Sequence, residues 1–142
     1  MSTEKHEVQY AALPFRRRGD VIEVLLITSL DTGRWIIPKG WPIEGLSPHD
    51  AAAREAHEEA GLVGRITDHV IGRFDYDKQL TGGSFVPCTV EVFALEVVRQ
   101  MRSWPEQDKR QRRWFGLEEG VEAVQEPELQ ALIRSLDRIL PE

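Results

Sequence analysis

Cysteine and long apolar runs are scarce in this chain of 142 residues, and its 18 basic residues are fewer than its 24 acidic ones. The single cysteine, Cys88, excludes an internal disulfide and fits a reducing compartment, where we expect a buried, inert thiol. The net charge of −6 disfavours broad attraction to nucleic acids or membrane surfaces. No apolar stretch approaches transmembrane length, and the first 15 residues carry charges without a signal-peptide core. We therefore expect a cytoplasmic protein.

Composition is that of an ordinary globular protein. Hydrophobic residues make up 41% and charged residues 30% of the chain, and we find no internal repeat or low-complexity tract. This predicts one domain over residues 8–142, preceded by a loose N-terminus over residues 1–7. We expect a monomer or a homodimer.

Three carboxylates and an arginine gather on one predicted helix. When each residue advances about 100° around the axis, one face holds four polar groups: Arg54, Glu55, Glu58 and Glu59. The neighbouring face carries only methyl groups: Ala52, Ala53, Ala56 and Ala60. Ser47 followed by Pro48 is typical of a helix start, and Gly61 of a helix end. We predict a helix over residues 48–60.

Such a face suits chemistry on phosphates. Clustered carboxylates repel one another, and a divalent cation such as Mg²⁺ or Mn²⁺ would offset their charge while binding substrate phosphates. A carboxylate not used by the metal can take a proton from an attacking water, and Arg54 can fix one glutamate by a charge-assisted hydrogen bond. The alternative is a solvated helix with i,i+4 ion pairs, but Arg54 and Glu58 stand in the less favourable order for such a pair.

The stretch over residues 40–62 resembles the signature of the Nudix hydrolases, G-x5-E-x7-R-E-U-x-E-E-x-G-U, in which U is a bulky aliphatic residue. Two positions depart from it: the first glutamate falls on Leu46, and the first aliphatic position is Ala56. The positions that match at the required spacing are Gly40, Arg54, Glu55, Glu58, Glu59, Gly61 and Leu62.

The resemblance extends over most of residues 8–138. Within the family, the chain is similar to the diphosphoinositol-polyphosphate and diadenosine-polyphosphate phosphohydrolase branch. It implies an α/β fold, a Nudix-like α/β/α sandwich with a mixed β-sheet and the signature helix following a loop. It also implies Mg²⁺ or Mn²⁺ held by Glu55, Glu58 and Glu59, with a main-chain carbonyl near residues 39–40 completing the metal shell. Members of the family differ in which glutamate is the general base, so Glu58 and Glu55 both stay open, with Arg54 as a catalytic candidate.

Cationic and aromatic residues around the signature are candidates for substrate binding. Arg34 and Lys39 precede it, and alternation along a strand would place Arg110 and Arg112 on one face. Arginine offers bidentate geometry to phosphate groups. Trp41 lies in the loop that enters the helix and offers a surface for stacking a base.

The residues before the first strand bear on the substrate. Residues 6–10 are almost without positive charge, whereas the inositol-phosphate branch carries a basic cluster there. We therefore predict a metal-dependent hydrolase that cleaves a phosphoanhydride bond of a small phosphorylated molecule, a nucleoside or inositol polyphosphate, with dinucleoside polyphosphates favoured.

The alternative, prompted by Leu46, is a catalytically weak binding or sensor module for a phosphorylated ligand. Cleavage at RNA 5′ ends is a third possibility that the acidic balance disfavours, and we expect no membrane partner.

The remaining pattern predicts a mixed sheet and three further features. Apolar and β-branched runs predict strands over residues 8–15, 21–28, 34–37, 63–76, 85–98 and 111–115. A short helix should follow residue 116, and a polar turn around residues 81–83 should close a hairpin. A terminal helix is expected from five apolar residues at intervals of three and four, which should pack in the core: Leu129, Leu132, Ile133, Leu136 and Leu140.

Overall fold

The computed structural model describes residues 6–141. Most of the predicted loose terminus, residues 1–5, therefore lies outside the described residues. Within the described part the chain forms eight strands and four helices, which are β1 (Glu7–Arg18), β2 (Val21–Thr28), β3 (Trp35–Ile36), β4 (Lys39–Gly40), α1 (Pro48–Ala60), β5 (Leu62–Ile66), β6 (Gly72–Gln79), β7 (Phe85–Gln100), β8 (Arg112–Gly116), α2 (Leu117–Ala123), α3 (Pro127–Arg134) and α4 (Leu136–Ile139).

The long strand β7 lies inside a mixed sheet and pairs with three other strands. It runs parallel to β1 on one edge and antiparallel to β5 and β6 on the other. On the far side of β1, strand β2 pairs antiparallel and carries β3 and β8, while the short β4 pairs with β1. Glu7 pairs with Cys88, so β1 begins one residue earlier than predicted and takes Glu7 out of the expected loose terminus.

Each face of the sheet carries an apolar core. One core joins β1, β2 and β7 to the C-terminal helices and contains all five residues of the predicted terminal stripe. The other packs the alanines of α1 against Ala12, Leu25 and Leu95. Helices therefore cover both faces of the sheet, which confirms the predicted α/β/α sandwich. No helix among residues 6–141 combines the length and the apolar character needed to cross a bilayer.

Two predicted elements are interrupted. The strand predicted over residues 63–76 is wrong in its continuity, because residues 67–71 leave the ladder between β5 and β6. There the Thr67 hydroxyl accepts a hydrogen bond from the Ala94 amide at 3.1 Å and donates to the His69 carbonyl at 3.0 Å, so a side chain replaces a ladder bond. The predicted terminal helix is divided at Ser135 into α3 and α4.

Candidate active site

Helix α1 begins and ends where the sequence predicts. The Ser47 hydroxyl accepts a hydrogen bond from the Asp50 amide at 3.3 Å, and Pro48 occupies the first turn. Gly61 closes the helix in the left-handed conformation at φ 67°, which glycine adopts without steric cost. These two ends fix which residues of the signature face the sheet.

The alanines of α1 set its rotation. Ala52, Ala56 and Ala60 are fully buried against the sheet. Their burial draws the adjacent Glu59 inward, so that only 7% of it is exposed, while Glu55 is half-buried and Arg54 is exposed. The polar face predicted from the sequence is therefore divided between a buried side and a solvent side.

Glu55 and Glu59 line a cavity of about 700 Å³ between α1, the loop after β4 and the β6–β7 hairpin. Four of the five predicted substrate-binding residues also line it: Arg34, Lys39, Trp41 and Arg110. Lys78 from β6 brings a further cation. The cavity thus brings four cationic side chains together with four carboxylates, which are those of Glu55 and Glu59 and of two aspartates, Asp31 and Asp77. It offers groups for a metal ion as well as for a phosphate chain.

The surroundings of Glu55 and Glu59 disfavour the ionised form of both carboxyl groups. Burial, together with the interaction with the Glu55 carboxyl group, raises the pKa of Glu59 to about 8, against the opposing charges of Arg110 and Lys39. Burial also raises the pKa of Glu55. One Glu59 oxygen, Oε1, accepts a hydrogen bond from the Lys39 amide at 3.3 Å and lies 3.9 Å from Nη2 of Arg110. The pair is short of positive charge, and a cation between the carboxylates would supply it.

Strand β4 brings its backbone against α1. A Cβ added at Gly40 would lie 2.5 Å from the Glu55 carboxyl carbon, so a larger residue here would displace the Glu55 side chain. The neighbouring Lys39 directs its ammonium over the Tyr76 ring at 5.0 Å, and burial lowers the pKa of this lysine to about 8. The glycine of the signature therefore brings the main chain beside the first carboxylate.

The donor set suits a hard cation, although it is not a closed metal cage. Among the described residues, no three Asp, Glu, His or Cys side chains are arranged to hold a metal on their own. Mg²⁺ commonly takes one or two carboxylates together with waters and substrate phosphates. Glu55 and Glu59, which line the cavity together, fit that requirement, and Glu58 lies outside the cavity lining, near enough for its charge to act on Glu55.

Besides Glu58, two predicted site residues, Arg54 and Arg112, do not line the cavity. Arg54 lines a separate depression of about 340 Å³ on a different face of α1, together with Leu46. Nη1 of Arg112 donates to the Ala60 carbonyl at 2.8 Å, and its Nη2 donates to the Met101 carbonyl at 2.7 Å. A catalytic role for Arg54 and a substrate contact by Arg112 stay predictions that the geometry does not favour.

Sequence reasoning missed three residues at or beside the carboxylates. Lys78 and Phe85 line the cavity from the β6–β7 hairpin. The Glu106 carboxylate accepts a hydrogen bond from Nε of Arg110 at 2.7 Å, and its charge also acts on Glu55. A Lys and a Phe in an exposed hairpin, or a Glu in a polar loop, give no sequence signal, because only the pairing of β6 with β7 and the folding of residues 101–110 onto α1 bring them here.

Comparisons with known proteins agree with this geometry. A family model described as the NUDIX domain matches residues 5–136. Nudix hydrolase 16, mitochondrial, of Arabidopsis thaliana is 36% identical over 112 residues, which cover 77% of this chain and 62% of that protein. Diphosphoinositol polyphosphate phosphohydrolase 3-alpha of Mus musculus is 29% identical, covering 81% of this chain and 67% of that protein. The chain thus spans about three-fifths of the length of the plant relative.

Solved structures share the fold. The C. elegans Ap4A hydrolase binary complex superposes with a TM-score of 0.68 at 22% identity, covering 93% of this chain and 96% of that one. The NUDIX domain of Shewanella oneidensis NrtR, complexed with ADP ribose, superposes with a TM-score of 0.70 at 15% identity, covering 96% of this chain and 90% of that one.

Proposed function

Because the chain belongs to the Nudix family, we propose that it is a pyrophosphohydrolase that uses Mg²⁺ or Mn²⁺ to cleave a phosphoanhydride bond. The single observation that carries the proposal is that Glu55 and Glu59, from the same helix, line one cavity together with four cationic side chains. Neither a solvated helix nor a purely apolar ligand would require this combination.

Glu55 and Glu59 would hold the metal, with Glu58 as a further ligand. When bound, the cation supplies Lewis-acid polarisation of a phosphoryl oxygen and charge for the leaving phosphate. A glutamate of the signature, Glu58 or Glu55, takes a proton from the attacking water while the oxygen of that water bonds to one phosphorus. The bond from that phosphorus to the bridging oxygen breaks, and the electron pair leaves with the departing phosphate.

Cations of the cavity would hold the phosphate chain. Arg110 lies beside Glu59, and Arg34 also lines the cavity, with its Nη1 donating to Glu126 at 3.0 Å. Lys39 and Lys78 complete the set on the side of the hairpin. Positive charge around the departing phosphate stabilises the negative charge that develops as the anhydride bond breaks.

Two exposed aromatic residues favour a nucleoside substrate over an inositol. Trp41 is 40% exposed and Phe85 is 62% exposed, and both line the cavity. Exposed aromatic rings beside a phosphate site suit the stacking of a base, for which an inositol ring offers no flat face. We therefore place dinucleoside polyphosphates first and diphosphoinositol polyphosphates second.

The test is phosphate or nucleotide release from a panel of dinucleoside polyphosphates, diphosphoinositol polyphosphates, nucleoside triphosphates and ADP-sugars. Each substrate is assayed with Mg²⁺, with Mn²⁺ and with a chelator. We expect metal-dependent turnover, fastest with a dinucleoside polyphosphate. Tight binding of a panel member without turnover under any metal would overturn the hydrolase proposal and favour a binding module.

A further inference from the structure

One segment of the chain, residues 101–112, closes the C-terminal end of α1. The last carbonyls of a helix have no partner within the helix. Here four successive carbonyls, those of residues 58–61, each accept a hydrogen bond from this segment. The donors are the Glu106 amide at 3.1 Å, the Trp104 indole at 3.2 Å, Nη1 of Arg112 at 2.8 Å and the Met101 amide at 2.7 Å, in the order of those carbonyls.

Arg112 and Trp104 form the centre of this closure. The guanidinium carbon of Arg112 lies 3.8 Å from the Trp104 ring centroid, so the two planar groups stack. A Cβ added at Gly61 would come within 2.6 Å of the Trp104 ring and 2.9 Å of Arg112 Nη1, so this glycine makes room for both. A positive group at the C-terminal end of a helix is also favoured by the helix dipole.

The same segment reaches the carboxylate of Glu59. Arg110 lies 3.9 Å from that carboxylate through Nη2, and its Nη1 donates to the Thr28 carbonyl at 3.0 Å. Its Nε donates to Glu106, whose own amide bonds the Glu58 carbonyl. Main chain and side chain of the last turn of α1 are therefore held from one segment.

We propose that Trp104 and Arg112 are positioning residues that fix the last turn of α1, so that Glu58 and Glu59 present their carboxylates to the metal. This inference rests on the proposed function. Under this proposal Arg112 supports the metal ligands and does not contact the substrate, since its side chain donates to main-chain carbonyls. Groups that orient metal ligands in this way typically contribute about 10- to 100-fold to metal affinity.

The test uses two variants, each with a matched control. Trp104→Phe keeps a ring under Arg112 and removes the indole donor to the Glu59 carbonyl, while Arg112→Lys keeps the charge and removes the planar fork. The controls are Trp114→Phe and Arg16→Lys, because Arg16 stacks on Trp114 at 4.2 Å while their side chains donate hydrogen bonds to Glu23 and Gln100 and not to the carbonyls of α1. Mn²⁺ affinity is measured by electron paramagnetic resonance, and kcat and KM are measured at several Mg²⁺ concentrations.

We expect both site variants to bind Mn²⁺ about tenfold more weakly. Their Mg²⁺ requirement should rise in parallel, while KM for substrate at saturating metal stays near that of the wild type and both controls bind Mn²⁺ normally. Unchanged Mn²⁺ affinity in Trp104→Phe and in Arg112→Lys would overturn the inference, as would equal weakening in the controls. If Arg112→Lys does not fold, Trp104→Phe decides alone. Absence of turnover in the wild type would instead refute the proposed function.

Discussion

Glu59 is a buried carboxyl group that lines the same cavity as a second one, Glu55. Only 7% of Glu59 is exposed, and the guanidinium of Arg110 lies 3.9 Å from its carboxylate and is shared with Glu106. A buried carboxylate is costly unless paired, so the local structure favours either a proton or a cation between Glu59 and Glu55. At the residue scale this pair is the feature from which the proposed chemistry follows.

Replacing Glu59 by glutamine should abolish turnover while leaving the protein folded. The amide keeps the size of the side chain but carries no negative charge for a divalent cation. We expect activity to fall at least about 100-fold. Thermal stabilisation by Mg²⁺, about 2.7 kcal/mol at a concentration 100 times the dissociation constant, should also be lost.

The matched control for that variant is Glu122→Gln, at an exposed position on α2. It should leave both turnover and Mg²⁺ stabilisation unchanged. Wild-type activity with Mg²⁺ in Glu59→Gln would show that this carboxylate does not hold the metal.

Restoring the family's glutamate at position 46 should leave kcat unchanged. Leu46 lines the separate depression with Arg54 and does not line the cavity. The carboxylate of a glutamate at this position would therefore meet the arginine and not the metal. An exposed pair of this kind adds only about 0.2–1 kcal/mol to the free energy of unfolding. Steady-state kinetics and thermal unfolding of Leu46→Glu measure both quantities, and a tenfold rise in kcat would place residue 46 in the active site.

Helix α1 was the element best predicted from the sequence. Its start and end coincide with local signals, a serine cap with a following proline and a terminal glycine, so both could be read from the adjacent sequence. Strands β5 and β6 were predicted as one, because one of the hydrogen bonds that hold Thr67 out of the ladder comes from Ala94, which lies on a distant strand. Elements were predictable where their ends are encoded locally.

Gly61→Ala should destabilise the protein more than a substitution at an equally strained but open glycine. Alanine at a positive φ costs about 1–2 kcal/mol by itself. At Gly61, with φ 67°, the methyl group would also overlap Trp104 and Arg112, which adds about 1–3 kcal/mol. Urea unfolding measures the change in the free energy of unfolding.

Gly45→Ala provides the control, because Gly45 has φ 85° and an added Cβ would meet nothing within 4 Å. Only the backbone cost should appear there. Equal losses in the two variants would mean that the end of α1 has room for a side chain, against the close contact with residues 101–112.

At the scale of the whole molecule, the sheet separates a core filled by the terminal helices from the layer that contains α1. The terminal helices fill the face of the sheet opposite α1, and their apolar stripe was predictable from its spacing. The cavity was not, since its walls come from five separate parts of the chain that only the sheet topology assembles. Arg34 and Lys39 were named from proximity to the signature, whereas Lys78 and Phe85 required the register of the β6–β7 hairpin.

Ile133→Ala should destabilise the fold by about 2–5 kcal/mol, because this fully buried side chain would leave a cavity in the core. Ile139→Ala removes the same atoms from a residue that is 39% exposed and should cost less than about 1 kcal/mol. Urea unfolding with an unchanged m-value measures both losses. Similar losses at the two positions would contradict the placement of the terminal helices on the sheet.

The most direct test of the metal centre is anomalous diffraction from crystals of the active protein grown with Mn²⁺ and a non-hydrolysable polyphosphate analogue. We predict a manganese peak bonded to the carboxylates of Glu55 and Glu59, beside strand β4, with phosphate oxygens of the analogue completing its ligands. A peak elsewhere, with neither Glu55 nor Glu59 bonded to the manganese, would contradict a divalent cation held by this helix.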